Sequence, residues 1–274
     1  MTRTRVLAAL IMAPIAIAAI LLLPTQWLLA LVAVMFLIGL WEWFKLAEID
    51  DTLSRTVLLV ANLLLMVLLV WASAGSMVLF QIVTLVGAAW WCLALLWLRN
   101  YDFASDHETH ARVFKLAAGT LAVVPAWCAL ALIHAGSPTG NRWLLAALAV
   151  VWAADTGAYF AGRRFGKRKL SPRISPNKTV EGMIGGLTCA VVAGLLFGWF
   201  AGMTLAQAPA VAAVALAAAL FSVVGDLFES LLKRHVGAKD SGHLIPGHGG
   251  ILDRIDGVIA ALQVFAIGKE LLGF

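Results

Sequence analysis

The acidic residues that could do chemistry in this chain gather towards its C-terminal end. Glu229 and Ser230 stand three and four residues after Asp226, so a single helix face would carry all three. Shortly afterwards Lys239-Asp240-Ser241-Gly242-His243 runs through Pro246, Gly247 and His248 into Gly249-Gly250-Ile251-Leu252-Asp253-Arg254-Ile255-Asp256. Its glycines and proline keep this stretch out of regular helix, and Gly249-Gly250 would let backbone N–H groups approach an anion such as phosphate. A hard cation such as Mg²⁺ takes a few carboxylate oxygens and shares its sphere with substrate phosphates, a site that Asp226 and Asp253 could close. His243 and His248 form no HExxH pair and no cysteine is near, which argues against zinc. Plainer roles stay open: Glu229 paired with Lys233 one turn on, Asp253 or Asp256 favoured by a helix dipole, and His243 as a loop histidine.

A second group lies upstream. Seven cations occupy positions 163–178, enough for anionic headgroups to attract this loop whatever its function. Ser175-Pro176-Asn177-Lys178-Thr179 differs, because a hydroxyl, an amide and an ammonium converge just before a helix N-terminus, where free N–H groups favour anions. Gly162 and Gly166 have too few residues between them for a P-loop. Asp155 stands inside an apolar run, where a carboxylate costs about 3 kcal/mol on insertion scales and usually faces protein, water or an ion.

The elements that must position these groups are membrane helices. Of 274 residues, 62% are hydrophobic and 13% charged, too few charges to cover a soluble surface. In hydrocarbon every backbone amide needs an internal partner, so the apolar runs must be helices and the fold class is all-α. Nine runs stand out, over 6–23, 26–41, 56–71, 77–98, 116–133, 143–160, 182–200, 205–224 and 255–267, the last the weakest because Asp256 sits in its first turn. With the N-terminus in the cytoplasm, all basic residues but Arg142 and Lys269 fall on the inner side, the asymmetry that orients polytopic proteins. A cleaved signal peptide over 1–19 is the competing reading of Arg3 and Arg5. Cys92, Cys128 and Cys189 are expected to be buried packing residues rather than a disulfide or zinc framework. Charges before Trp152 lie almost wholly in loops. The expected division is therefore a scaffold of helices over 1–152 and a catalytic membrane region with cytoplasm-facing loops over 153–274.

The motifs resemble those of the phosphatidate cytidylyltransferase family, also called CDP-diacylglycerol synthases. From Ser230 through Lys233-Arg234, Lys239-Asp240 and His248-Gly249-Gly250 to Asp253-Arg254 and Asp256, every fixed position of the family signature is met. The segments Asp155-Thr156-Gly157-Ala158-Tyr159 and 175–182 are similar to upstream family motifs, so the resemblance spans about 155–256. It implies transfer of CMP from CTP to phosphatidic acid with release of pyrophosphate, a Mg²⁺ cofactor with or without a second cation, and a homodimer in the inner cell membrane. Nucleic acid is not an expected partner.

On this resemblance, Asp226, Lys239, Asp240, His248, Asp253 and Arg254 are the expected catalytic positions. Asp226 and Asp253 are the metal ligands, with Asp256 a third candidate. Asp155, Ser175, Asn177, Lys178, Lys233, Arg234, Gly249 and Gly250 are the expected substrate-binding positions. Two other activities fit parts of the pattern: a CTP-dependent kinase of a polyprenol or similar lipid alcohol, and an ion-coupled transporter using the same intramembrane acids.

Overall fold

The structure is a computed structural model that describes residues 13–106, 108–242 and 249–274. After α1 (Ala13–Leu22) come α2 (Thr25–Leu46), α3 (Thr52–Ser73), α4 (Val78–Arg99), α5 (Thr109–Ala135) and α6 (Gly140–Phe165). A small antiparallel hairpin of β1 (Lys169–Ser171) and β2 (Ser175–Thr179) then leads to α7 (Val180–Phe200), α8 (Ala208–His235) and α9 (Leu252–Leu272). Among the described residues, seven helices, α2 to α8, are long and apolar enough to cross a membrane. The chain is thus an all-α polytopic membrane protein. Of the first apolar run, residues before 13 lie outside the described part, as do Arg3, Arg5 and most of the segment that a signal peptide would occupy.

The helices outrun the apolar stretches at their polar ends. α2 continues past Trp41 to Leu46, α5 starts at Thr109 rather than 116, and α8 runs to His235. Hydropathy stops at the first charges, but the backbone hydrogen-bond ladder has no reason to. Asp226 therefore lies inside α8, two turns before its end, rather than terminating the helix as the run over 205–224 suggests. Local chemistry sets several boundaries. Asp51 accepts from Ser54 N at 2.7 Å to cap α3, and Thr179 Oγ1 accepts from Gly182 N at 3.1 Å to cap α7.

The expectation of three buried cysteines is corrected: Cys128 is buried in α5, but Cys92 and Cys189 are exposed on α4 and α7. Lipid and protein core are equally apolar, so hydropathy cannot tell a lipid-facing thiol from a packed one.

Antiparallel packing sorts the helix ends into two sets. At one, Asn141 Nδ2 donates to Leu21 O, Thr25 Oγ1 bonds His134 Nδ1 at 2.8 Å, and Gln207 Nε2 donates to Gly273 O. At the other, Lys115 Nζ, fully buried, pairs with Glu48 at 3.3 Å, and Arg173 Nη2 pairs with Asp102 at 3.0 Å. There too His235 Nε2 bonds Tyr101 O at 2.7 Å. This second end gathers the close of α2, α4, α6 and α8 with the start of α5, α7 and α9. Within it α8 and α9 approach closely: a side chain at Gly225 would run into the Asp256 backbone, and one at Gly257 would sit tightly against Ser222. That contact places the acids of the two helices side by side.

Candidate active site

At this end a cavity of about 610 Å³ opens between α6, β2, α7 and α8, with Asp155, Tyr159, Arg163, Asn177, Lys178 and Asp226 in its wall. Ser175 lines it as well. β2 carries Lys178 over the cavity to form an ion pair with Asp226 Oδ2. Ser230, one turn on from Asp226, donates Oγ to Asp226 Oδ1 at 3.3 Å, so part of the predicted shared face of Asp226, Glu229 and Ser230 is in use. Asp155 on α6, Asp226 on α8 and Asp256 on α9 lie within electrostatic reach of one another and of Lys178. Arg254 is close enough to act on Asp155. Opposite charges held at partial exposure, 26% for the Lys178 side chain and 33% for Asp226, can exchange partners at little cost.

The hairpin is fixed from outside the cavity. Arg168 Nε pairs with Glu181 at 3.0 Å, and Glu181 also accepts from the backbone N–H groups of Lys167 and Arg168. Arg173 lies over the Tyr101 ring at 4.2 Å while it pairs with Asp102. Arg234 Nε donates to Ile174 O at 3.2 Å, which ties the hairpin to the end of α8. Arg234, expected to bind substrate, thus spends part of its donor set on the fold.

Asp253 sits in a second group. Its Oδ1 accepts from Lys233 Nζ at 2.7 Å, and its Oδ2 from Gly250 N at 2.7 Å and Ser241 N at 3.1 Å. Lys233 bridges to Glu229 Oε2 at 2.5 Å, so the one-turn pairing of Glu229 with Lys233 is formed and is shared with Asp253. All three side chains are at most one-tenth exposed. Gly249 takes a φ of +81°, left-handed backbone that glycine adopts without strain, and a Cβ there would strike the Asp253 carboxylate. The Gly250 N–H is engaged by Asp253. Lys239 and Asp240 are exposed, and His243 and His248 lie outside the described residues.

One residue of this second group has no counterpart among the sequence candidates. Glu42, near the end of α2 and 4% exposed, accepts from Ser241 Oγ at 3.0 Å, Ile251 N at 3.2 Å and Leu252 N at 2.8 Å. The only signal for it in the sequence is a lone acid at the end of an apolar run. Arg163 is likewise legible there only as a charge near a headgroup, and Tyr159 only as the last residue of the motif-like segment Asp155-Thr156-Gly157-Ala158-Tyr159. The structure sets both in the cavity wall and joins Arg163 Nη1 to Tyr159 Oη at 3.3 Å.

Among the described residues, no three His, Cys, Asp or Glu side chains are arranged to hold a metal between them. That arrangement suits Mg²⁺ less badly than zinc, since Mg²⁺ uses one or two carboxylates and completes its sphere with water and phosphate.

The sequence matches the model of the Cytidylyltransferase family over residues 3–272. It is 38% identical over 269 residues to a phosphatidate cytidylyltransferase of Pseudomonas aeruginosa, covering 97% of this chain and 96% of that one. A phosphatidate cytidylyltransferase of Haemophilus influenzae is 36% identical over 284 residues, covering 97% and 98%. One from Brucella suis is 49% identical over 135 residues, covering 48% of each chain.

Proposed function

The chain belongs to the cytidylyltransferase family, and we propose that the cavity around Asp226 and Lys178 is where it carries out the family's reaction. The reaction is transfer of CMP from CTP to phosphatidic acid, which yields CDP-diacylglycerol and pyrophosphate in phospholipid synthesis. The observation that carries the site reading is the pairing of Lys178 with Asp226 inside a cavity that also holds Ser175, Asn177, Arg163 and Asp155.

A phosphomonoester has its second pKa near about 6, so the attacking oxygen of phosphatidic acid is ionised at neutral pH and no strong base is needed. That oxygen bonds to the α-phosphorus of CTP as the bond from this phosphorus to the bridging oxygen breaks, and pyrophosphate leaves with the electron pair. The protein's task is to bring two anions together in line and offset their charge. An incoming phosphate competes with Asp226 for Lys178; as the ammonium turns to the phosphate, the Asp226 carboxylate is released towards the cavity. Arg163 and Asn177 in the same wall supply further donors. Lys233, Lys239, Arg234 and Arg254 complete the proposed cationic set, and Asp240 and Gly249 stay within the proposed site as neighbours of Asp253 in the signature, to which His248, outside the described residues, also belongs.

We propose Asp226 and Asp253 as ligands for Mg²⁺, with Asp155 and Asp256 close enough to contribute. The ion would neutralise charge on the triphosphate. Asp226 fits best, because an oxygen in the cavity wall is held only by an exchangeable cation. Asp253 would share oxygens that already accept from Lys233 and two amides.

The cavity is proposed to face the cytoplasm, since its end of the bundle gathers the basic residues and CTP is cytoplasmic. The wall of the cavity comes wholly from residues 154–226, which favours the proposed division between scaffold and catalytic stretches. A homodimer belongs to the same reading, and a monomer mass in detergent would remove it.

The test uses purified protein, phosphatidic acid and CTP labelled separately on the α and γ phosphates. Entry of the α label into lipid is the expected result. Entry of the γ label would identify a lipid kinase and overturn the reading.

A further inference from the structure

Glu42 stands far from the signature in sequence, yet it touches both ends of the signature loop. Its Oε2 accepts from Ser241 Oγ and from Leu252 N, and its Oε1 from Ile251 N. Ser241 stands six residues past the end of α8, while Ile251 and Leu252 open α9. One buried carboxylate therefore ties together the two lengths of chain that carry Asp253's other partners, Ser241 N and Gly250 N.

Several features make this contact a built one. Side chains at Gly242 or Gly250 would both run into the Glu42 carboxylate, so these two positions sit against it only because they are glycine. The next residue, Trp43, is wholly buried, donates its Nε1 to Lys115 O at 2.8 Å and stacks on Phe228 of α8 with ring centroids 5.9 Å apart. The end of α2 is thus pinned to α5 and α8, and Glu42 inherits a fixed position. The first N–H groups of a helix have no partner within it, and at α9 Glu42 supplies that partner for two of them. A carboxylate at a helix N-terminus also meets a favourable dipole.

We infer that Glu42 is a positioning residue for the nucleotidyl transfer: it clamps Ser241 to the start of α9 and so sets the geometry in which Gly250, Lys233 and Asp253 meet. The inference rests on the reading that Asp253 belongs to the reacting machinery. Glu42 is not among the residues that line the cavity described above. Its influence runs through backbone placement, where an error of about 1 Å can cost on the order of 100-fold in rate.

The experiment compares full-length Glu42→Gln, Ser241→Ala and the double variant in detergent or vesicles, with Asp253→Asn as a control. Steady-state kinetics and hydrogen exchange at the Ile251 and Leu252 amides are both read. Glu42→Gln is expected to lower kcat by about 10- to 100-fold with KM for CTP and phosphatidic acid within about threefold, and to speed exchange at both amides. Ser241→Ala, which removes a single hydrogen bond, is expected to lower kcat a few-fold, and the double variant to be no worse than Glu42→Gln alone. Unchanged kcat in Glu42→Gln, or fully multiplicative effects in the double variant, would overturn the inference. Should Glu42→Gln fail to fold, Ser241→Ala decides: unchanged kcat and unchanged exchange at Leu252 overturn it. Full turnover in Asp253→Asn would instead sink the reading beneath it. In that case faster amide exchange in Glu42→Gln would show the clamp to be real and its catalytic purpose to be wrong.

Discussion

Asp226 and Asp253 carry the same carboxylate on adjacent helices, and the protein surrounds them in opposite ways. Asp226 is one-third exposed on a cavity wall, with one ammonium and one hydroxyl against it. Asp253 is one-tenth exposed and accepts from a buried ammonium and two backbone amides. A carboxylate with few partners can trade them when a phosphate or cation arrives, whereas one with its lone pairs largely occupied holds a shape. The proposed site therefore has an exchangeable part and a preorganised part. Electrostatic stabilisation of a transition state needs the second, because donors already aligned need not reorganise during the reaction.

The strongest way to break this comparison is Asp253→Asn. It is expected to abolish measurable turnover and also to lower the melting temperature, because removing one partner of a buried charge pair costs about 3 kcal/mol. Calorimetry or a thermal-shift assay beside the kinetics checks both halves, and a normal melting temperature would show that Asp253 is no more held than Asp226. Asp226→Asn should match it in lost activity but stay within about 1 kcal/mol of the parent in stability, since its ion pair is partly exposed.

Cation linkage separates the two further. Millimolar Mg²⁺ should raise the melting temperature of the parent protein, as any ligand of the folded state does. It should have no such effect on Asp226→Asn, and EDTA should stop turnover of the parent until Mg²⁺ is returned. An unaltered Mg²⁺ response in Asp226→Asn would remove that residue from the ligand set. Lys178→Gln should raise KM for the phosphate substrates about tenfold with a smaller change in kcat, a split that steady-state kinetics resolves. Ser230→Ala is expected to be the mildest, a two- to threefold loss, because a single hydrogen bond contributes about 1 kcal/mol or less.

Much of the site is legible in the sequence. Asp226, Lys178, Ser175, Asn177 and Asp155 are polar groups beside or inside apolar runs, and the fold brings all five to one cavity. The pairing of Lys233 with Glu229 follows from helical spacing. Glu42 is not legible, because an acid at the end of a membrane helix looks like any solvated helix end until its partners, Ser241 and the start of α9, are brought against it. Hydropathy fails in the same way for Cys92 and Cys189, and it ends the eighth run at 224 when the helix carries on to His235.

By itself the sequence determined that this protein is a bundle of membrane helices and that its reaction joins phosphate-bearing substrates. Hydrocarbon leaves the backbone no other partner than itself, and the acids, cations and glycines of the signature are the groups such a reaction requires. Only the tertiary structure decided which charge meets which: Asp226 with Lys178, Asp253 with Lys233, and Glu42 with the loop between them. The reason is that helix neighbours in a membrane are chosen by close packing rather than by hydrophobicity, as lipid tails are no less apolar than leucine. Contacts such as Gly225 on the Asp256 backbone set that packing, and the pattern of apolar residues along the chain carries no trace of it.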